Sequence, residues 1–488
     1  MLRTPLLVTA LTISALGVSG RSSAAMQGDP FPPLTRDDSA LVSLVLAAEE
    51  ARDSLSAALR TAIAHRHPAV RRLAERSRAR ITDPTFVSRE AVIGALRAPP
   101  IWPEPEWKSR FRALTAARDD CAALRTAAAD KAWPVRQRAA AMARASCAGD
   151  DSLVAIFRAW AERLPMNAAR HDFGALSWHE ASHGLVAYAR LRGPAAGALV
   201  ARHAHHRQWQ VRQFAARAAA AAGDLATLRA LARDADDNVA EAAIEGLRAT
   251  TGLADDSLFI AALRRDGVPA VLAAASALRG TSHPAADGAA REAYERFVLR
   301  AHASEKDARL ALLHLAGRPA SEDRAPPRDP EIPRDAVALA LGAARFLCVE
   351  LDAASGGGSF VVALRGDIAP LMAARVLTLA REGYYDSTAW HRVEHDFVIQ
   401  GGSPRANEYV GYRQYLVDEL GTVPHARGTV GMSTRGHDTG DAQWFVNLRD
   451  NLRLGADYTV FAEVVEGMEI VDGIIEGDVI ARIREVRR

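Results

Sequence analysis

A polar or proline-containing turn, followed at once by a valine and an alanine-rich run, recurs along the first two thirds of the chain. It stands as His67-Pro68-Ala69-Val70-Arg71, Ala132-Trp133-Pro134-Val135-Arg136, Gln208-Trp209-Gln210-Val211-Arg212, Asp236-Asp237-Asn238-Val239-Ala240 and Gly267-Val268-Pro269-Ala270-Val271. After each turn, apolar residues return at intervals of three and four, as in Val70, Leu73, Ala74 and again Val211, Phe214, Ala215. That is the period of an amphipathic helix. Val211, Val239 and Val271 lie 28 and 32 residues apart, and the earlier gaps of 65 and 76 each hold about two such units. One helix pair cannot bury its own apolar stripe, so a chain built this way must stack its helices into a continuous core.

The turn, the Val-Arg pair and the alanine-rich helix resemble HEAT-like repeats. The resemblance implies an all-α solenoid over residues 38–318, of roughly six to eight helix pairs by its length. Two roles are open to such an array: a scaffold that binds a protein partner on its concave face, or a rigid spacer. Residues 319–334 change character, with Pro319, Pro326, Pro327, Pro330 and Pro333, and read as an extended, semi-rigid linker, with a loop packed across the domain interface as the alternative. Residues 335–488 are richer in glycine, β-branched and aromatic residues. There, residues 344–351 and 360–364 read as a hairpin through Ser355-Gly356-Gly357-Gly358, and residues 370–382 as a helix.

At the other end, Met1-Leu2-Arg3, an apolar run over 6–18 and Ser22-Ser23-Ala24-Ala25 have the layout of a secretory signal peptide over residues 1–25. The run is short for a membrane span, although an uncleaved anchor is the alternative. The expected location is outside the cytoplasm, in a bacterial periplasm, with no stable membrane span after cleavage. Three cysteines are too few for a disulfide framework, but an exported chain can form one bridge. Cys121 opens one helical segment and Cys147 closes the next, so a helical hairpin brings them together; two buried thiols are the alternative. The 61 basic and 59 acidic residues nearly cancel, to a net +2, which gives no support for a nucleic-acid partner.

The chemistry concentrates in three blocks of the C-terminal part. The first is Trp390-His391-Arg392-Val393-Glu394-His395-Asp396-Phe397-Val398-Ile399-Gln400-Gly401-Gly402. Its alternation sends Phe397 and Ile399 one way and Val398 and Gln400 the other, so a bend at 394–396 is needed to gather Arg392, Phe397 and Gln400. The second runs from Gly428 to Leu448 and carries Ser433-Thr434 and Gln443-Trp444-Phe445; the third runs from Leu454 to Met468 and carries Leu454 and Tyr458. In family order and spacing these blocks resemble the cyclophilins, the peptidyl-prolyl cis-trans isomerases. Trp390 stands where Phe is usual, Ser403 where Asp is usual, and Arg453 where many eukaryotic members carry Trp.

The resemblance implies a mainly-β barrel with flanking helices, isomerase activity on Xaa-Pro bonds of exported polypeptide clients, and no metal or organic cofactor. It implies Arg392 as the catalytic residue and Phe397, Val398, Gln400, Ser433, Thr434, Gln443, Phe445, Leu454 and Tyr458 as substrate-binding residues. The chemistry suits these types. Uncatalysed rotation about an Xaa-Pro bond crosses a barrier of ~18–20 kcal/mol, and in the twisted state amide resonance is lost and the proline nitrogen becomes a lone-pair acceptor. A guanidinium is a fixed charge with a planar fork of donors, able to favour that state over both ground states. Two other readings stand beside this one. The barrel can bind proline segments without catalysis, and His179-Glu180-Ala181-Ser182-His183 matches a zinc-peptidase HExxH pattern, with no convincing third ligand downstream.

Overall fold

A computed structural model of the chain describes residues 34–87, 102–117, 120–164, 178–327 and 332–488. The segment read as a signal peptide, residues 1–25, and residues 328–331 of the stretch read as a linker lie outside them. Among the described residues no helix is long and apolar enough to cross a membrane.

Residues 346–486 form one antiparallel sheet of eight strands: β1 (Phe346–Leu351), β2 (Ser359–Leu364), β3 (Arg392–Val393), β4 (Val398–Gly401), β5 (Thr429–Met432), β6 (Trp444–Asn447), β7 (Val460–Glu466) and β8 (Ile480–Val486). Their spatial order is β3-β4-β6-β5-β7-β2-β1-β8. The sheet curls until its edges meet, where Ala389 bridges both Ser403 and Val479. Trp390 and Trp444 fill the interior edge to face, 5.1 Å apart, and both are almost wholly buried. The larger ring at 390 is thus barrel core. Helix Pro370–Arg381 packs on β7 and β8; its buried first turn is capped by the Glu419 carboxylate, which accepts from the Leu371 and Met372 amides at 3.1 and 2.8 Å.

The helices before the barrel form a two-row array. The inner row runs through helices Trp107–Ala116, Trp133–Met142, Trp178–Arg192, Trp209–Ala222, Asp237–Thr251, Val268–Ala277 and Lys306–Leu315, each packed on the next. Shorter helices such as Leu225–Leu231 and Asp256–Ala262 make the outer row. Alanines and the repeat valines fill the space between them: Val135, Val211, Val239 and Val271 are all buried. Asp130, Asp234 and Asp237 take bidentate or single bonds from Arg110, Arg212 and Arg265, tying one repeat to the next.

Two expectations are corrected. The array is not a free solenoid with an open concave face; the barrel sits against its inner row. The contacts come from the beginnings of the inner helices, and two of them, Gln210 and Asn238, lie in turns that mark the repeat in sequence. Lys108 donates to the Leu448 carbonyl, His179 bonds the Glu476 carbonyl, Gln210 lies beside Gly477, Asn238 donates to the Arg405 carbonyl at 3.1 Å and Asp307 pairs with Arg435. Nor is the segment after the array an extended linker; it takes the packed alternative. Asp323 forms a buried ion pair with Arg309 at 2.9 Å, and Pro326 and Pro327 line a junction with Arg413 and Tyr415 of the barrel. The first three helices, Arg36–Glu50, Ala57–Ile63 and Pro68–Thr82, go further and share one hydrophobic core with the barrel, with Val45, Leu46 and Val70 in the same cluster as Leu371 and Phe461.

Cys121 and Cys147 are bonded, and Cys348 is free and buried. The bridge closes a loop of 26 residues, for which chain entropy gives about 3 kcal/mol. Replacing both cysteines by serine is expected to lower unfolding free energy by about that amount in a urea titration, with no change in the barrel's activity.

Candidate active site

Strand register builds the site. Arg392 pairs with Gln400 across β3 and β4, Gln400 pairs with Phe445 across β4 and β6, and Phe445 pairs with Gly431 across β6 and β5. Directly opposed residues of neighbouring strands share a face, so guanidinium, amide, ring and glycine form one row across the outer surface of the barrel. Ile399 and Trp444 alternate inward to the core. The bend expected at 394–396 is a tight turn in which the Phe397 amide donates to the Glu394 carbonyl at 2.7 Å. It swings the Phe397 ring back beneath Arg392, whose guanidinium carbon is 5.8 Å from the ring centre.

Above this row lies an open cavity of about 380 Å³. Arg392, Phe397, Val398, Gln400, Ser433, Thr434, Phe445, Leu454 and Tyr458 all line it. Gln443 lies one layer beneath: its Oε1 accepts from Gln400 Nε2 at 3.1 Å, and its own Nε2 donates to the Val410 carbonyl at 3.0 Å. Gln400 also donates to Ser433 Oγ at 2.9 Å, which fixes the amide in the row. Ser433 N–H is used by the Gln443 carbonyl, so its carbonyl is the backbone group left to meet a peptide.

The apolar part of the lining stands apart from both large cores. Val398, Phe445 and Leu454 form their own small cluster, flanked by Phe397 and Tyr458. Phe445 and Tyr458 meet edge to face at 5.6 Å, and a Cβ on Gly431 would run into the Phe445 ring. Glycine there lets the ring lie flat on the strand. A pocket lined this way accepts a small saturated ring and offers it no hydrogen-bonding partner on that side.

Sequence reading missed four residues at the cavity or its floor: His425, Asp307, Glu408 and Arg435. His425 stacks on Phe445 at 5.6 Å and bonds the Tyr458 carbonyl at 2.9 Å; burial lowers its pKa to about 4. His391 is likewise lowered to about 4 by burial, so both rings are neutral near pH 7. Asp307, Glu408 and Arg435 form the polar rim. None of these sits at a spacing that a motif marks, and Asp307 comes from the helical array.

The array meets the same rim at Glu241, half-buried beside Tyr409. Burial and the Glu245 carboxylate, with a contribution from Glu408, push Glu241 from 4.5 to about 7 against the Tyr409 hydrogen bond and Arg217. The folded chain therefore holds this proton more tightly than the unfolded one. Its contribution to stability is full below pH 4.5 and is lost as pH rises through about 7. Glu241→Gln is expected to flatten this part of the pH dependence, so that melting temperature falls less between about pH 5 and about pH 8 than in the wild type.

The HExxH histidines are occupied otherwise. His179 stacks on Trp178 at 3.8 Å and bonds the Glu476 carbonyl, His183 lies 3.3 Å from the Gln137 amide, and Glu180 faces Arg136 and Arg163 at 3.6 and 3.7 Å. His179 belongs to the packing of array against barrel, and His183 and Glu180 to packing within the array.

Fold and site together define an antiparallel barrel that presents an arginine beside an apolar ring pocket on its outer face. The family model for "Cyclophilin type peptidyl-prolyl cis-trans isomerase/CLD" matches residues 348–487. A peptidyl-prolyl cis-trans isomerase of Helicobacter pylori is 35% identical over 119 residues, covering 24% of this chain and 73% of that protein. Peptidyl-prolyl cis-trans isomerase B of Bacillus subtilis is 33% identical over 130 residues, covering 26% of this chain and 91% of that one. A cyclophilin-type isomerase structure from Cryptosporidium parvum is 22% identical and covers 30% of this chain and 99% of its own, with a TM-score of 0.28. The chain belongs to the cyclophilin-type peptidyl-prolyl cis-trans isomerase family.

Proposed function

We propose that this chain isomerises Xaa-Pro bonds of exported polypeptides, with Arg392 as an electrostatic catalyst above an apolar proline pocket. The observation that carries the reading is the row Arg392, Gln400, Phe445, which sets a donor fork and a ring pocket on one face of adjacent strands. With the proline ring seated among Val398, Phe445, Leu454 and Tyr458, the preceding residue turns against a held ring. Gln400 and the Ser433-Thr434 backbone hold the flanking peptide. Arg392 donates toward the prolyl nitrogen or carbonyl as resonance is lost, so its bond is stronger in the twisted state than in either planar one. No covalent bond breaks and no proton is transferred.

The exported setting is supported by the signal-like residues 1–25 and by the Cys121–Cys147 bridge, since disulfides persist in oxidising compartments. A protease-coupled assay on a proline tetrapeptide tests the activity: conversion from cis to trans is expected to accelerate in proportion to protein concentration. Peptide binding at the uncatalysed conversion rate would instead make the barrel a binding module.

A further inference from the structure

Arg392 is tethered from outside the signature strand. Its Nε lies 3.2 Å from Glu408 Oε1 and its Nη1 3.4 Å from Gln400 Oε1. Nη2 has no partner among the described residues, in a side chain that lines the cavity. These two contacts, at Nε and Nη1, hold the plane of the fork and leave Nη2 to a substrate.

Glu408 is in turn set by the helical array. On one side of it, Asn407 Nδ2 donates to Asn238 Oδ1 at 3.1 Å and Asn238 Nδ2 donates back to the Arg405 carbonyl at 3.1 Å. Both amides are buried, 8% and 6% exposed, so this exchange is shielded from water. On the other side, the Tyr409 ring lies 4.3 Å beneath the Arg435 guanidinium, which Asp307 of the array holds by an ion pair. The loop carrying Glu408 is therefore clamped between array helices Asp237–Thr251 and Lys306–Leu315.

The geometry points to Glu408 as a positioning residue for Arg392, and to the helical array as the element that sets Glu408. This rests on the reading of Arg392 given above. A half-exposed ion pair contributes little to folding, so its value lies in orientation. A guanidinium on a flexible stem, freed from one anchor, spends only part of its time aimed at the pocket. The ring pocket of Phe445, Leu454 and Tyr458 does not involve Glu408, so substrate grip is spared.

The test compares Glu408→Gln, Glu408→Asp, Asn238→Ala and Arg392→Ala with the wild-type full chain, on an uncharged proline tetrapeptide over a range of salt. Glu408→Gln is expected to lower kcat about five- to ten-fold with KM unchanged. Wild-type kcat falls as salt screens the half-exposed pair, and the Gln variant loses that dependence. Glu408→Asp restores part of the rate, and Asn238→Ala lowers kcat about two- to three-fold in the same direction. A Glu408→Gln rate at or above wild type, or a loss appearing in KM alone, overturns the inference. If Arg392→Ala is inactive while Glu408→Gln matches wild type, only the positioning role falls. If Arg392→Ala keeps the full rate, the catalytic reading of Arg392 falls and takes the inference with it.

Discussion

Arg392→Ala is expected to lower kcat/KM on an Xaa-Pro peptide by roughly 10²- to 10³-fold, about 3–4 kcal/mol of transition-state stabilisation, while thermal unfolding stays unchanged. The size follows from what the site contains. Around the pocket the amide and serine groups are committed elsewhere: Gln400 to Ser433 and Gln443, and Ser433 N–H to Gln443. His391 and His425 are buried and neutral. Arg392 lines the cavity as a fixed cation with a donor to spare for the prolyl nitrogen. Lysine at 392 restores the charge but lacks the planar fork that spans Glu408, Gln400 and the substrate at once, so Arg392→Lys recovers little. Stability is spared because the side chain is partly exposed and its ion pair with Glu408 is screened by solvent.

The second large effect falls on stability and lies far from the cavity. Arg80→Ala is expected to destabilise the chain by about 3–5 kcal/mol. Arg80 and Glu49 form an ion pair at 2.7 Å with side chains 2% and 0% exposed. The same guanidinium donates to the Ile368, Leu420 and Glu419 carbonyls of the barrel, at 2.6, 2.5 and 2.9 Å. Burial alone would raise the Glu49 carboxyl; the Arg80 and Arg76 guanidiniums and the Ser77 hydroxyl outweigh it and hold it below the usual range. Removing Arg80 strands that carboxylate and three carbonyls in a dry interface. Urea titration of Arg80→Ala gives the cost. The pair Glu49→Leu, Arg80→Met is expected to recover part of it, because the Glu49 carboxylate is no longer left buried without Arg80.

Much of the barrel and its site was legible because its signals are local. Alternation in 397–400 placed Val398 and Gln400 on the pocket face, and the bend it demanded is the turn at Glu394. The hairpin over 344–364 and the helix at 370–382 appear as β1, β2 and Pro370–Arg381. Nine of the ten residues read as catalytic or substrate-binding line one cavity and the tenth, Gln443, supports it. Helix periodicity in the array was equally plain.

The assembly of the two parts was not legible. Periodicity reports which face of a helix is apolar, and here the inner helices meet the barrel through single polar residues at their first turns: Lys108, His179, Asn238 and Asp307. A lone polar residue at a helix start reads as an ordinary cap. The proline-rich stretch looked like a spacer because its composition is that of one, yet Asp323 is drawn into a buried pair by Arg309, 14 residues before it. Glu408 carries no motif at all; its part depends on a loop held from 169 residues away by Asn238.

The most direct test of the central claim is two-dimensional exchange NMR of an Ala-Pro peptide in the presence of a small fraction of the protein. With the wild type, cis and trans proline resonances are expected to show exchange cross-peaks on a sub-second timescale, against the tens to hundreds of seconds of the free peptide. With Arg392→Ala the peptide's shifts still report binding in the ring pocket, while the cross-peaks vanish. Exchange cross-peaks of equal strength in Arg392→Ala would contradict the account.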